Sequence, residues 1–333
     1  MLFRSMWGHM PDTLKARDYT FSRPKLAAEV DNEGGTVNDH NETWSTFTWS
    51  GADKHCDILP GMRQFGALAT VVPTSVQDVA GWPMQGNFYW SSLAGMSGQH
   101  HAADVSNRSE AQKPDDTTFI VSCVDKEAPD VEPKLVLTPG SYDSTIKAMK
   151  VKVGEEASLR LTITDSKNND QPLAYYYFSL HLDDGINRKN QTDAAWETHP
   201  VQIDGGSNVR KVDAHTYEGI TDANGEATLT LTQPGGVGVK THITARMRSD
   251  FTASDEKDVI FTVITSPDTD KARMWGHMLG IIEANNIFKR PRLADETDNE
   301  LGSVRENNED WALFDQNSSM QAECGLGHIP SQS

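Results

Sequence analysis

The pentapeptide Met-Trp-Gly-His-Met occurs twice in this chain of 333 residues, at residues 6–10 and again at residues 274–278. Only 8 residues of the chain are tryptophan and 11 are methionine, so chance does not account for the repetition. The duplication predicts either two binding sites of one kind or a module whose beginning occurs twice. The residues that follow each copy distinguish between these interpretations.

A longer pattern follows both copies. Residues 21–47 and residues 288–314 share Phe-x-Arg-Pro-x-Leu-Ala-x-Glu, then Asp-Asn-Glu, Gly, Val, Asn-Glu, Trp and Phe. The offset is 268 residues at the pentapeptides, 267 at Trp44 and Trp311, and 268 again at Cys56 and Cys324. A constant offset with single-residue slips indicates that a module was duplicated.

The second copy reaches Ser333 soon after Cys324, whereas the first copy continues to Cys123. We therefore expect a complete module, then a different module, then the N-terminal part of a second copy. The predicted boundaries are residues 1–126, residues 130–265 and residues 272–333.

The repeat also predicts how the three cysteines are used. Cys56 and Cys123 are expected to form a disulfide within the complete copy, and Cys324 is the counterpart of Cys56. The alternative is two buried free thiols. A bridge that closes a loop of this length contributes roughly 4 kcal/mol in the chain-entropy model, and it implies an oxidising, extracellular environment.

The composition argues against two classes of protein. Lysine plus arginine number 30 against 48 aspartate plus glutamate, a net charge of −18, and such a surface repels nucleic-acid phosphates. No apolar run is long enough for a transmembrane helix, and the first residues lack the apolar region of a signal peptide. We therefore expect neither nucleic-acid binding nor membrane insertion by this segment.

Residues 1–126 carry mixed signals of helix and strand. Ala52, Cys56 and Leu59 share one face of a short helix that is expected to end at Pro60. Residues 62–72 predict a short helical turn that runs into a strand. The alternation in residues 117–124 predicts a strand that carries Cys123 into the core.

These motifs, in this order, resemble a C-type-lectin-like domain of the kind found at the tips of intimin and invasin. The matching motifs are Ala-x-x-x-Cys with Leu-Pro, then Gly-Trp-Pro, Tyr-Trp-Ser-Ser and Val-Ser-Cys-Val. The stretch from the pentapeptide to Trp44 resembles RatA/RatB-type repeat proteins of enteric bacteria. The resemblance implies a disulfide between Cys56 and Cys123. The calcium-binding triplets of sugar-binding lectins are absent, so no cofactor or metal is expected.

Residues 130–265 predict an all-β module. Strands are expected at 134–138, 149–153, 157–164, 174–180, 226–232, 238–247 and 257–264. Their period-2 alternation predicts an antiparallel sandwich, with a hairpin turn at residues 233–238. The pattern resembles a bacterial Ig-like domain of the invasin/intimin type. Residues 181–216 are predicted to be an insertion, either an extra hairpin or a protruding loop, in which Trp196 contacts a ligand or fills a small satellite core.

The fold class is therefore multi-domain, with an α+β lectin-like domain, an all-β Ig-like sandwich and a truncated second lectin-like copy. No nucleophile elbow, phosphate loop or metal-site spacing is present, so we expect neither an enzyme nor a metal protein. Adjacent side chains of a strand point apart, which argues against zinc at His100 and His101. An aromatic-rich loop region, residues 81–92, and the loop that follows it, residues 93–116, are the expected contact surface, with Trp82, Tyr89 and Trp90 as candidate ligand-binding residues.

The predicted function is a segment of an adhesin on the bacterial cell surface, extracellular and tethered to the outer membrane through its parent chain. Its expected partner is a host cell-surface receptor or glycan, together with adjacent repeats of the parent. The alternative is a structural spacer that extends a distal binding tip away from the membrane, since arrays of repeats give reach or avidity.

Overall fold

The fold is given by a computed structural model. The residues that it describes are 10–31, 34–39, 41–71, 81–84, 86–186, 192, 201–235, 238–247, 252–262 and short pieces between 281 and 315. The predictions for the first pentapeptide apart from Met10, for the second pentapeptide, for Trp196 and for Cys324 lie outside these residues.

The first part of the chain combines short strands with two helices. In order, the elements are β1 (Thr13–Ala16), β2 (Tyr19–Ser22), a 3-10 turn (Ala27–Glu29), β3 (Gly35–Asp39), β4 (Glu42–Thr46), α1 (Trp49–His55), α2 (Met62–Val71), β5 (Tyr89–Ala94), β6 (Gln99–Asp104) and β7 (Ser109–Pro114). Strands β1 and β2 form one hairpin, β3 and β4 a second, and β5, β6 and β7 a three-stranded antiparallel sheet.

Both helices depart from the prediction. Helix α1 begins after Thr48, whose side chain accepts a hydrogen bond from the Gly51 amide, and it ends at His55 rather than Pro60. Cys56 already has extended backbone angles, yet it shares one core cluster with Ala52 and Leu59. The strand expected in the second part of residues 62–72 is wrong, because residues 62–71 are helical throughout.

The side chains of residues 117–124 alternate in direction, as predicted, but the predicted strand is wrong, because the segment forms no continuous strand. Phe119, Val121 and Cys123 pack against a small cluster around Trp90, whereas Ile120 and Val124 belong to a larger cluster. The segment pairs through isolated bridges to Phe47, Tyr89 and Phe21 rather than through a continuous ladder. It therefore ties the β1–β2 hairpin, the start of α1 and the three-stranded sheet together.

The second part of the chain is an antiparallel sandwich with one parallel pair. Its elements are β8 (Pro133–Pro139), β9 (Ala148–Lys152), β10 (Ala157–Asp165), β11 (Gln171–Pro172), β12 (Tyr177–Leu182), β13 (Gln202–Asp204), β14 (Val209–Lys211), β15 (Thr216–Ile220), β16 (Glu226–Thr232), β17 (Val239–Met247) and β18 (Ser254–Thr262), with 3-10 turns at Ser166–Asn168 and Gly206–Asn208. One sheet has the order β11-β10-β16-β13, with β8 also paired to β10, and the other has the order β14-β15-β12-β17-β18-β9.

The alternation in β10 shows why these sheets stack. Leu159, Leu161 and Ile163 are fully buried between the sheets, whereas Arg160 points outward. Opposite them in β16, Leu229 and its period-2 neighbours fill the same core. Because every second side chain is apolar, each sheet has one apolar face, and the two apolar faces pack together.

Two expectations about connections are wrong. Part of residues 181–216 belongs to the sandwich itself, because β13 pairs with β16 and β14 pairs with β15. Residues 233–238 do not form a hairpin turn, because β16 and β17 lie in different sheets. A turn at Asp222–Glu226 joins β15 to β16, and Gly225 there has a φ of +72° that suits glycine.

The repeat recurs as structure. After the sandwich, β19 (Ile281–Glu283) pairs with β20 (Ile287–Lys289), and β21 (Ser303–Glu306) pairs with β22 (Glu309–Ala312). These hairpins correspond to β1–β2 and β3–β4 of the first copy. In both copies the tryptophan indole donates to a carbonyl of its own hairpin, Trp44 to Asp39 and Trp311 to Glu306. The two stretches are therefore copies of one substructure.

The first module packs directly on the sandwich. Tyr175, Tyr177 and Ile220 of the sandwich belong to the same apolar cluster as Phe65 of α2. Gly66 makes the approach close, because a Cβ atom there would overlap the Tyr175 carbonyl oxygen. Burial of apolar side chains from both modules in one cluster fixes their relative position.

Candidate functional site

The three predicted ligand contacts are all buried. Trp82, Tyr89 and Trp90 each have 0% of their surface exposed. The structure does not bring all three together either. Trp82 and Tyr89 lie in the larger cluster, while Trp90, next along β5, points to the opposite side of the sheet. Contact between these side chains and a ligand stays a prediction, but their position makes them supports for the surface above them.

The burial of Tyr89 has an electrostatic consequence. Complete burial, with a smaller contribution from the negative charge of Asp39, raises the pKa of the Tyr89 hydroxyl well above its ordinary value. Its hydroxyl oxygen has no hydrogen-bond partner among the described residues. The group is therefore neutral over the whole physiological range.

The disulfide between Cys56 and Cys123 is present, as predicted. It connects the end of α1 to the final segment of the module, and its Cα atoms are 5.2 Å apart across a sequence separation of 67 residues. Both half-cystines pack against the small cluster that contains Trp90. The bridge therefore fixes the support on which the neighbouring surface rests.

Trp90 is the centre of that support. Its indole nitrogen donates to the Phe47 carbonyl oxygen at 2.7 Å. The Phe119 ring meets it edge-on, with ring centroids 4.9 Å apart. Ala102 of β6 lies opposite Trp90 in the strand register and is fully buried. A large aromatic side chain with its polar atom paired is a rigid base for the residues outside it.

A continuous group of half-exposed side chains covers this cluster, and we call it the aromatic face. Its members are Trp49, Phe88, His100, Lys113, Asp115 and Phe119. Strand β6 explains the arrangement: His100 is two residues from Ala102 and so lies on the same face of the sheet. Lys113 of β7 is the register partner of His100.

One half of the aromatic face is built on Trp49. The His100 ring stacks on the Trp49 indole, with centroids 3.5 Å apart and planes inclined by 10°. The Trp49 indole nitrogen donates to the Ser91 carbonyl at 3.0 Å, and its backbone amide donates to the Asp115 carbonyl. His100 Nδ1 lies 2.7 Å from Asp115 Oδ1. These bonds hold both rings in one orientation before any ligand arrives.

The other half is built on two phenylalanines. Phe88 and Phe119 have ring centroids 5.5 Å apart, and the Lys113 ammonium lies 4.6 Å from the centre of the Phe88 ring. The arrangement places flat apolar rings beside one cation and one carboxylate. Such a surface can contact apolar groups through the rings and orient polar groups through its rim.

Phe88, His100, Lys113 and Asp115 lie within the predicted contact regions, residues 81–92 and 93–116, but no member of the aromatic face was named as a ligand contact. Trp49 and Phe119 lie outside those regions. The signal that could have found His100 is the alternation of β6, which sets His100 beside Ala102 and away from His101. The predicted divergence of the two histidines is confirmed: His101 is buried near Glu110, whereas His100 is at the surface. Among the described residues, no group of three or more histidine, cysteine, aspartate or glutamate side chains could hold a metal ion.

None of the helices in the described part of the chain is long and apolar enough to cross a membrane.

The Phe47 ring stacks on His55 beside the disulfide, with centroids 4.9 Å apart. Burial, with a smaller contribution from Lys25, lowers the pKa of the His55 ring, so this ring favours its neutral form.

Two family models match the chain. The InvE-type adhesion domain matches residues 4–124 and 267–333, which together are more than half of the chain. The model described as Bacterial Immunoglobulin-like 21 matches residues 154–264, within the sandwich. The match to the adhesion domain therefore lies in two segments, on either side of the immunoglobulin-like domain.

Several solved structures are similar to the chain. The adhesin InvE of Yersinia pseudotuberculosis has 22% identity and a TM-score of 0.43, over 91% of this chain and 65% of that one. The D00-D0 domain of intimin has 14% identity and a TM-score of 0.25, over 49% and 62%. The Escherichia coli adhesin FdeC has 11% identity and a TM-score of 0.25, over 50% and 43%. The chain thus spans less than two thirds of each of these structures. No curated protein matches the chain.

The chain is a segment of a bacterial adhesin, with an adhesion domain and a bacterial immunoglobulin-like domain. By a match over more than half of its length, it belongs to the InvE-type adhesion-domain family. The prediction of a non-enzymatic adhesin is confirmed, since neither matching family is catalytic. Adhesion domains of this kind imply a location on the bacterial cell surface.

Proposed function

We propose that the aromatic face is the surface through which this chain attaches a bacterium to its host. The observation that carries the proposal is the set of half-exposed rings, Trp49, Phe88 and Phe119, held on a fully buried Trp90. Aromatic rings exposed to water raise the free energy of the unbound protein, and a ligand that covers them removes this cost. Rings that are already rigid also lose little conformational entropy on binding.

The chemistry of the face suits a host cell-surface receptor or a glycan. Flat apolar rings offer contact area both to apolar side chains of a protein and to the apolar faces of sugar rings. Lys113 and Asp115 provide a donor and an acceptor at the rim. The expected ligand therefore has an apolar surface bordered by polar groups.

The finer assignment of the family belongs to the same proposal. We infer a C-type-lectin-like fold for the adhesion module, related to RatA/RatB-type repeat proteins and followed by an invasin/intimin-type immunoglobulin-like domain. The link from the end of α1 through Cys56 to the final segment supports this inference. The parent chain is proposed to be anchored in the outer membrane, with this segment extracellular and next to further repeats.

Removing two rings from the face tests the proposal. We expect the variant Trp49→Ala/Phe88→Ala to bind epithelial cells and glycan arrays at least about tenfold more weakly than the unchanged chain, because aromatic hot spots carry much of a binding energy. The whole purified chain is labelled with a fluorophore, and its affinity is measured by titrating it onto the cells and the arrays.

Tyr142→Ala is the matched control. Tyr142 is also an aromatic residue, it is 48% exposed, and it lies in the sandwich between β8 and β9. Circular dichroism and the thermal midpoint establish that each variant is folded. Equal losses in the control and in the double variant would refute a specific role of the aromatic face.

The spacer function is the second candidate, and the recurrence of both hairpins in the second copy favours it. The two functions differ in the effect of deleting one repeat unit from the parent chain. A spacer loses reach gradually with each deleted unit, whereas a receptor-binding module loses attachment outright. Adhesion of cells that display the shortened parent discriminates between the candidates.

A further inference from the structure

A cleft of about 250 Å³ lies where the adhesion module meets the immunoglobulin-like domain. The β1–β2 hairpin and α2 form one wall, and the residues before β12 and before β16 form the other. The charged and aromatic side chains that line it are Arg17, Asp18, Tyr19, Arg63 and Tyr175, and the remaining lining residues are alanines. It is separate from the aromatic face.

The arginines Arg17 and Arg63 both line this cleft, and among the described residues neither is paired with a carboxylate. The Arg17 guanidinium lies 4.4 Å from the centre of the Tyr175 ring, and the Arg63 guanidinium lies 5.4 Å from the centre of the Tyr176 ring. Within the described residues, neither guanidinium forms an ion pair, although Asp18 also lines the cleft. In a chain with a net charge of −18, two unpaired arginines in one cleft are an unexpected concentration of positive charge.

Two buried polar atoms in the cleft residues also lack partners. The Nη1 atom of Arg63 and the hydroxyl oxygen of Tyr175 are buried, and neither has a hydrogen-bond partner among the described residues. Tyr175 as a whole is only 6% exposed. Buried polar groups in folded proteins are nearly always paired, because an unpaired one forfeits its bonds to water. An acceptor bound in the cleft would satisfy both after a small movement of the side chains that cover these atoms.

The backbone of the same residues is strained. Arg17 has a φ of +59° and Tyr175 a φ of +66°, in the left-handed region that side chains with a Cβ rarely adopt. These two residues contact each other across the junction. Strain of this kind costs free energy and persists only where surrounding structure enforces it, and it concentrates at ligand-binding sites.

We propose that the junction cleft binds the carboxylate of a single acidic sugar residue. A carboxylate accepts two parallel hydrogen bonds from a guanidinium and one from a tyrosine hydroxyl, which matches the donors left unpaired here. The volume suits one sugar ring rather than an oligosaccharide chain, and the tyrosine rings supply apolar contact. The site does not depend on the aromatic face, and it goes beyond the attachment proposed for that face.

Titration of the whole chain with three small probes tests the assignment. Glucuronate carries both the carboxylate and the ring, acetate carries the carboxylate alone, and glucose carries the ring alone. We expect saturable binding of glucuronate by NMR titration, with resonances near Tyr175 shifting, weaker binding of acetate and none of glucose. Both Arg63→Gln and Arg17→Gln are expected to weaken glucuronate binding roughly tenfold or more, since charged hydrogen bonds are the strong ones.

Arg160→Gln is the control, because Arg160 is an exposed arginine of the sandwich that pairs with Glu226 and lies outside the cleft. It is expected to leave glucuronate binding unchanged. Arg17 is exposed, so its variant keeps the test decisive if Arg63→Gln fails to fold. Absence of saturable glucuronate binding, or equal binding by Arg17→Gln and the unchanged chain, would overturn the site. Equal affinity for acetate and glucuronate would overturn its assignment to a sugar acid.

Discussion

Replacement of Trp90 by alanine is expected to lower the free energy of unfolding of the adhesion module by about 3–5 kcal/mol. Trp90 is fully buried, so truncation leaves a large cavity beneath the aromatic face. It also leaves the Phe47 carbonyl oxygen without its indole donor and the Phe119 ring without its edge-on partner. Few single side chains of the module combine these three losses.

Chemical denaturation followed by circular dichroism measures the effect. Trp90→Phe is the informative companion, because it keeps most of the apolar volume but loses the hydrogen bond, and we expect a smaller loss than for alanine. Trp90→Ala with a loss below about 1 kcal/mol, similar to that of an exposed site, would show that this cluster does not support the module.

Removal of the disulfide is the second change with a large expected effect. The bond between Cys56 and Cys123 closes a loop across 67 residues, which stabilises the folded state by about 4 kcal/mol in the chain-entropy model. We expect Cys56→Ser/Cys123→Ser to lower the free energy of unfolding by about 4 kcal/mol. Loss of the bridge also releases the final segment from α1, so binding at the aromatic face is expected to weaken as well.

The comparison is cleanest in a Cys324→Ser background, because the third cysteine is then unable to exchange with the other two. The single Cys324→Ser variant is the matched control and is expected to unfold like the unchanged chain. Denaturation curves with and without reductant complete the measurement. If reduction leaves the midpoint of the control unchanged, the bridge contributes nothing to stability.

Sequence patterns predicted the sandwich well where strands are long and half-buried. The alternation of Leu159, Leu161 and Ile163 identified β10 and its buried face, because period-2 patterning reports burial directly. Strands β13 and β14 were not predicted, because each contains only three residues and is too short to show a period-2 pattern. Their place is decided by pairing with distant strands instead.

The site was harder to predict than the fold. The aromatic stretch around Trp82 and Trp90 was predicted to contact a ligand, but the rings of Trp82, Tyr89 and Trp90 are inside the molecule. Large aromatic side chains in an irregular stretch contribute the most apolar area, so they fill cores first. Which rings stay half-exposed, such as Trp49 and Phe88, depends on contacts between segments far apart in the chain.

Photo-crosslinking shows whether the aromatic face makes the contact with the host. A benzoylphenylalanine at position 88 stands on the face, and the same residue at position 142 stands on the sandwich as the control. After irradiation on host cells, we expect a crosslinked cell-surface product from position 88 and none from position 142. A product from position 142 with none from position 88 would contradict a contact through the aromatic face.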